Sequence, residues 1–554
     1  MVNSRQTPEK NIYREKIIIT PEILTTIEQI SGKEIEDDLV VLAQIGGTRI
    51  ESNPKLIDRF SVSRLALSKE DAQARIHLKN EMEAAGMTVE MHPLGLVGTY
   101  QGTDPEIPSI GMLSHYDSVP QAGMYDGTVG VLSAIHIVKK LNEQAIKPKK
   151  SIKVIAVTGE ESARFNMALF GSKGMFTGLT DEELDLIDKQ GISIRQALID
   201  LGYNPEDVKK SLFSKEDFEA IIEFHVAQDN RYPDKLCVIE AIAAPERYKL
   251  NIGEKDLKEI QHLESDKFYT LTIHGNTGHS GATPMGDIHR NDGLVLASEV
   301  IQNIISLNQT FEQMRSKHSI IIGKINIPGE AMNKIPGRVD LNLCITGPNP
   351  KEAETLLNKI LANTKCKEIV ELKETKKSGP FYQPKEMNLR LKKAIDVIKS
   401  VNTVANSYAQ NQCVGTVSTI NNQDGQIQLG IDLRGIEHTQ RQKMIKQIKQ
   451  LIYALTKLKF DKPLPGSGKP ESMDEELVFL AEQLITQLDI ANFIKTFSAA
   501  GHDIQNISRA LIKTLLIFCP SPNGLAHNPE EYSSPDHLEW GAKTMAALVL
   551  SLSN

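Results

Sequence analysis

The sequence predicts an α/β fold: a doubly wound mixed sheet that carries an inserted α+β domain. Three observations predict it. Short apolar runs at 110–113, 152–157, 218–224 and 515–518 have the length of buried strands, and helical patterns such as 129–141 separate them. That is the rhythm of strands joined by crossover helices, and it implies a mostly parallel sheet. Between about 268 and 455 the rhythm changes to strand, helix, strand, strand, helix, and it runs twice. A stretch rich in Pro, Gly and Ser at 461–472 then leads back towards the last apolar run, so the middle reads as an insertion.

Taken in order, NEMEAAGMT at 80–88 followed by VEMH reads as a helix that ends at Gly86 before a strand. The first part of the main domain spans 1–265, the inserted domain 266–460 and the second part of the main domain 461–554. In the inserted domain, FYTLTIHG, a helix from Asn291 to Leu307, SIIIGKI, GRVDLNLCI and a helix from Lys351 to Leu361 form one βαββα series. A strand near 366, a helix, CVGTVSTI, GQIQLGIDLR and a further helix form the second. Either the unit is duplicated or one domain has two unrelated halves. The GSGK in the 461–472 linker has neither the spacing nor the following residue of a phosphate loop.

The composition excludes several functions. At 554 residues the chain is several times a ~150-residue domain, which rules out a single small module. Hydrophobic residues make up 40% and charged residues 24%, a globular balance. No apolar stretch approaches the ~20 residues of a membrane span, and the polar start carries no secretory pattern. A net charge of -8 without a basic stripe gives nucleic acid little footing. The five cysteines, Cys237, Cys344, Cys366, Cys413 and Cys519, are scattered and form no CxxC, which fits a reducing, cytoplasmic setting. Any metal must be held by His and carboxylates.

Candidate ligands sit where apolar runs end. His115 and Asp117 follow 110–113, and Asp126-Gly127 precedes the helix at 129. Glu160 and Glu161 follow 152–157, His225 follows Phe224, and His527 follows 515–518 across CPSPNGLA. Each has an ordinary reading: Asp126 as a helix cap, His115 with Asp117 as a hydrogen-bonded pair, the two Glu as solvent-facing residues opening a helix. Recurrence at four strand ends favours a shared purpose. Open α/β sheets bind ligands at that edge. Imidazoles and carboxylates without a thiol suit a pair of Zn²⁺, Mn²⁺, Co²⁺ or Ni²⁺ ions, and one Glu would be left free as general base. His92, His136, His262, His289 and His318 lack such company and read as structural or solvated.

SRLALSKEDAQAR, GMLSHYDSVPQAGMYDGTVGVL, TGEESARFNMALFGSKGM, GNTGHSGATPM, NKIPGRVDL, SAAGHD and FCPSPNGLAHNPEEYSSPD together resemble the hydantoinase/carbamoylase branch of the zinc aminopeptidase/aminoacylase superfamily. The resemblance runs in unchanged order from about residue 60 to the C-terminus. It implies a binuclear amidohydrolase that cleaves a linear C–N bond of an N-carbamoyl amino acid or ureido compound. Two divalent metals are implied, with Zn as the first guess. His115 and His225 would bind one metal, Glu161 and His527 the other, and Asp126 would bridge them. Asp117 would orient His115, and Glu160 would act as base. His279 would stabilise the oxyanion, while Gln228, Asn333 and His502 would contact substrate, with Gly501, Asp503 and Ser533 near it.

The sequence also departs from the family. The strand after IPG ends in Thr346 where the family has a carboxylate-binding Arg, and the matching strand of the second series ends in Arg434. The family's HIEQG appears as His225-Val226-Ala227-Gln228-Asp229, which leaves substrate choice open. A doubled lid would let one chain close its own site as a monomer; otherwise a homodimer is expected. A dipeptidase or aminoacylase of the same superfamily and a catalytically silent metal-binding protein are the competing readings.

Overall fold

The computed structural model describes residues 19–50, 58–228, 231–260, 266–286, 290–362, 370–376, 380–423, 425–460, 462–464, 470–490 and 492–554. Cys366, Asp229, His262, His289, the start of the second-series strand near 366 and part of the 461–472 linker lie outside them.

Strands β1 (Gly47–Ile50) and β2 (Arg59–Val62) pair as a ribbon. The next six are β3 (Thr88–His92), β4 (Gly95–Tyr100), β5 (Ser109–His115), β6 (Ile152–Val157), β7 (Phe218–Val226) and β8 (Leu236–Ile242). The lid follows with β9 (Ala244–Ile252), β10 (Lys267–His274), β11 (Gly278–His279), β12 (Ser319–Asn326), β13 (Lys334–Ile335), β14 (Arg338–Thr346), β15 (Val370–Thr375), β16 (Cys413–Gln423) and β17 (Gln426–Gly435). The chain returns with β18 (Glu471–Ser472), β19 (Phe493–Ser498) and β20 (Lys513–Cys519).

The catalytic sheet runs β18-β8-β20-β7-β5-β6-β4-β3, with β19 on β8. The pairs β5–β6, β5–β7, β7–β20 and β8–β19 are parallel, and four other pairs are antiparallel, so the sheet is evenly mixed where the apolar runs predict mostly parallel pairing. The central strands are covered on both faces, so β5 and β7 are buried almost throughout and read as continuous apolar runs. The chain leaves β5 for β6 on one side and β7 on the other, which makes β5 a topological switch point and opens a crevice at its carboxyl end. Helices Pro21–Glu28 and Gly32–Ala43 pack on the C-terminal helix Pro535–Ser553.

The lid differs from the expected tandem. One sheet runs β12-β14-β10-β15 and another β16-β17-β9. The strand expected near 366 to open the second series is described from Val370 as β15, and it pairs with β10 of the first. The partner of β17 is β9, which precedes the whole first series. One βαββα series is therefore nested inside the other. Both share a single hydrophobic core, from Tyr248 to Ile452, separate from that of the catalytic sheet.

Candidate active site

The crevice at β5 gathers side chains from several strand ends. His115 is the last residue of β5, His225 lies in β7, and Glu160 and Glu161 follow β6. His527 lies beyond β20 with φ 58°, a left-handed conformation uncommon outside glycine. His115, Asp126 and His225 form one buried trio and Asp126, Glu161 and His527 another, each with its ligand atoms within 4.8 Å of one another. Asp126 belongs to both. It is not a cap, because the N-cap of the helix Thr128–Glu143 is Gly127 with no side-chain cap bond. Gly127, at φ 69°, is required by packing, since a Cβ there would lie 2.3 Å from His115 Nε2. Glu160 and Glu161 are not solvent-facing either; they are buried.

The donor set fits cations on chemical grounds. His115 Nδ1 lies 3.1 Å from the carbonyl of Asp117, and His225 Nδ1 lies 3.0 Å from that of Val226. Each Nδ1 therefore carries the ring proton and each Nε2 offers a lone pair. Those two Nε2 atoms face each other at 3.2 Å, an arrangement that repels unless a cation lies between them. His225 Nε2 is also 3.2 Å from Asp126 Oδ1. His527 Nε2 stands 3.1 Å from Asp126 Oδ2 and 2.9 Å from Glu161 Oε1. Burial opposes charge on His527, yet Glu161 and Asp126 hold it up at about 10, so the two carboxylates call for a positive charge at that point.

The remaining catalytic-domain candidates surround these trios. Asp117 accepts the backbone N–H groups of Glu160 and Glu161, both at 3.2 Å, and its Oδ1 lies 3.6 Å from His115 Nδ1. The carboxylate of Glu160 stands outside both trios. Burial pushes it well above the usual carboxylate range, with Glu161 adding and His115 opposing. Gln228 donates to Asp126 Oδ1 at 2.9 Å. The His502 ring lies 4.8 Å from that of His225, with Nε2 2.9 Å from Ser498 Oγ. Burial raises its neighbour Asp503 to about 7. Ser533 donates to the carbonyl of Pro520, a bond within its loop. His92 and His136 are buried in structural roles, and His318 bonds Ser316 and Asn349.

The lid closes over the site from the same chain. The β11–β13 ladder sets His279 opposite Lys334 and leaves Asn333 beside it. His279 Nδ1 accepts from Gly281 N–H at 3.2 Å and Ala282 N–H at 2.8 Å, so its proton sits on Nε2. Burial and the Arg434 guanidinium keep the ring neutral, and it lies 4.8 Å from the His527 ring. Asn333 donates to Glu161 Oε2 and accepts from Ser162 Oγ. Arg434, in β17, clamps Asp432 with Nη2 at 2.8 Å and points Nη1 at the carbonyl of Ala499. Arg247 of β9 stands opposite Asp432 in register and brings a second guanidinium, its Nε 3.8 Å from Asp432 Oδ2.

Sequence reasoning missed four contributors. Glu531 accepts the backbone N–H groups of Tyr125 and Asp126, both at 3.1 Å, through one buried oxygen. Arg64 bonds the carbonyl of Tyr116 at 2.8 Å, and Arg75 bonds the Tyr116 hydroxyl at 2.9 Å, so SRLALSKEDAQAR braces the loop after His115. Lys334 is the fourth. Each lies in a segment that carries the family resemblance, Arg64 and Arg75 in SRLALSKEDAQAR, Lys334 in NKIPGRVDL and Glu531 in FCPSPNGLAHNPEEYSSPD, but the resemblance assigned none of them a role.

Fold and donor set together define a metal-dependent α/β hydrolase with a lid. The model of peptidase family M20/M25/M40 matches residues 111–551, and the chain belongs to that family, in its hydantoinase/carbamoylase branch. It is 30% identical over 329 residues to N-carbamoyl-L-amino-acid amidohydrolase of Paenarthrobacter aurescens, covering 58% of this chain and 74% of that one. It is 27% identical over 513 residues to ureidoglycolate hydrolase of Arabidopsis thaliana, covering 89% and 82%. The crystal structure of AtUAH in complex with glyoxylate shares the fold, with TM-score 0.56 and 22% identity over 95% of this chain and 99% of that one. So does an amidase of the hydantoinase/carbamoylase family from Burkholderia multivorans, with TM-score 0.53 and 19% identity over 95% and 98%.

Proposed function

We propose that this chain hydrolyses a linear C–N amide bond in an N-carbamoyl amino acid or ureido acid. One observation carries the reading: Asp126 is shared by two buried trios while Glu160, beside Glu161, is left outside both. His115 and His225 would hold one divalent ion, Glu161 and His527 the other, and Asp126 would bridge, with Zn²⁺ first and Mn²⁺, Co²⁺ or Ni²⁺ as alternatives. When bound, such ions supply Lewis acidity, which polarises the scissile carbonyl and lowers the pKa of water.

The chain's own groups do the rest. Glu160 takes a proton from the attacking water onto its carboxylate and returns it to the leaving nitrogen as the C–N bond breaks. His279, neutral with its proton on Nε2, donates to the carbonyl oxygen as that oxygen gains charge, an interaction typically worth about 2.7–4 kcal/mol. Asp117 holds the Glu160-Glu161 backbone in place. Asn333 sets the outer oxygen of Glu161 and Gln228 holds the Asp126 oxygen that faces His225, while Arg434 and His502 line the substrate side.

We assign 1–265 and 461–554 to catalysis and the middle to the lid, with β9 counted to the lid. A monomer is the active form, because His279, Asn333 and Arg434 reach the site within one chain. A cytoplasmic setting fits the dispersed cysteines, of which Cys237, Cys344, Cys413 and Cys519 are buried. No helix among the described residues is long and apolar enough to cross a membrane. The test is a substrate panel on protein reconstituted with each metal, reading ammonia and amino acid together. Amino acid released without ammonia would point to a dipeptidase or aminoacylase, and no turnover with any metal to a silent binding protein.

A further inference from the structure

A cavity of about 810 Å³ at the seam between lid and catalytic domain adjoins the site without including its ligands. Its wall carries Lys334, which follows Asn333, and Asn528, which follows His527. Lys334 is 6% exposed, yet among the described residues its ammonium makes one hydrogen bond, to the carbonyl of Pro120 at 3.0 Å. It forms no ion pair with any described carboxylate. Burying an ammonium without a counter-charge is costly, and here burial lowers it to about 8, with only the more distant Glu161 opposing.

The other charges on the wall are ion-paired or open to solvent. Glu330 pairs with Lys189 through Oε1 at 2.8 Å, its buried Oε2 being without a partner among the described residues, Arg338 pairs with Asp340 at 2.9 Å, and Glu530 is exposed. Ser418, 1% exposed, contributes a hydroxyl with no partner. A buried cation with two unused N–H donors and an unused hydroxyl, facing a cavity beside the reacting centre, has the chemistry of a carboxylate receptor.

We propose that Lys334 and this cavity form a subsite for a second carboxylate of the substrate, so that the enzyme selects ureido acids whose side chain ends in a carboxylate. The inference rests on the hydrolytic reading above. N-carbamoyl-L-glutamate and N-carbamoyl-L-glutamine differ at that end and little elsewhere. The metal-loaded wild type should favour the glutamate compound by about ten- to a hundredfold in kcat/KM, chiefly through KM. Lys334→Met should bring that ratio close to one, and Lys334→Arg should restore part of it. A purely structural Lys334 would depress both substrates alike and leave the ratio where it was, which would overturn the proposal. Equilibrium binding of the two compounds to metal-loaded Glu160→Gln reads the same preference without turnover. Preference there with no hydrolysis by the wild type would sink the hydrolase reading alone; no preference there would sink the subsite. Glutarate should compete with substrate. Glutarate inhibition that substrate does not relieve would assign the cavity to a separate anion and overturn the substrate assignment.

Discussion

Asn333 of the lid donates its side-chain amide to Oε2 of Glu161, while Oε1 of the same carboxylate faces His527 Nε2 at 2.9 Å. The lid thus touches a candidate metal ligand directly and fixes which oxygen turns inward. Asn333→Ala should lower kcat/KM by about ten- to a hundredfold and weaken one metal site by a similar factor, as losses of hydrogen-bond partners to ligand carboxylates generally do. Steady-state kinetics beside a metal titration checks both. A variant unchanged in each would mean that this contact is incidental.

Glu160 and Glu161 are adjacent in sequence and divided in role. Glu161 joins a trio and Glu160 does not. Glu160→Gln should keep two metals per chain by elemental analysis and lose about a hundred- to ten-thousandfold in kcat. Loss of one metal equivalent instead would make Glu160 a ligand and leave the base unassigned.

His115, Glu160, Glu161, His225 and His527 were legible because each ends or follows a buried apolar run; Asp126-Gly127 was legible only by its place before a helix, and the structure accounts for its glycine by the left-handed φ of 69° and the close approach to His115. The lid was legible in its elements and misread in its connections. In β9, Tyr248, Leu250 and Ile252 alternate as a strand should, but Ile252 pairs with Ile427, far along the chain, and nothing local announces a partner so distant. Glu531 and Lys334 stand in segments that carry the resemblance yet went unassigned for a related reason. A glutamate in a loop reads as solvated until folding sets it under the Tyr125-Asp126 backbone, and a lysine reads as exposed until a second domain covers it.

Glu531 deserves its own test because it holds the peptide from which Asp126 projects. Glu531→Gln keeps an oxygen able to accept from Tyr125 and Asp126 and should retain most metal affinity. Glu531→Ala should lose about ten- to a hundredfold of it. Titration with the metal, read by thermal shift so that turnover plays no part, separates the two variants. Equal behaviour of both would remove Glu531 from the support of the site.

The nested lid makes a prediction about complementation. If one chain supplies His279, Asn333 and Arg434 to its own metals, a mixture of His279→Ala and Glu160→Gln proteins should stay inactive after co-refolding, and light scattering should find wild-type activity in the monomer peak. Lids exchanged between two chains would regenerate some intact sites, and about a quarter or more of wild-type activity in the mixture would establish that exchange.

Away from the site, His92 ties stability to pH. Its Nδ1 accepts the N–H of Leu94 at 3.2 Å, and Arg75 donates to its carbonyl at 3.0 Å. Burial, then the Arg75 guanidinium, lower it from 6.5 to about 4, with Asp207 opposing. The unfolded chain therefore takes up this proton at a higher pH than the native one. Stability from His92 is complete above pH 6.5 and drains away as pH falls towards 4, by as much as about 3 kcal/mol. His92→Asn keeps an acceptor near the Nδ1 position and cannot protonate. Denaturant unfolding at pH 7.5, 6, 5 and 4.5 should show the wild type losing ground to the variant steadily below pH 6.5. Parallel curves for the two proteins across that range would mean that His92 is already free to charge in the native state.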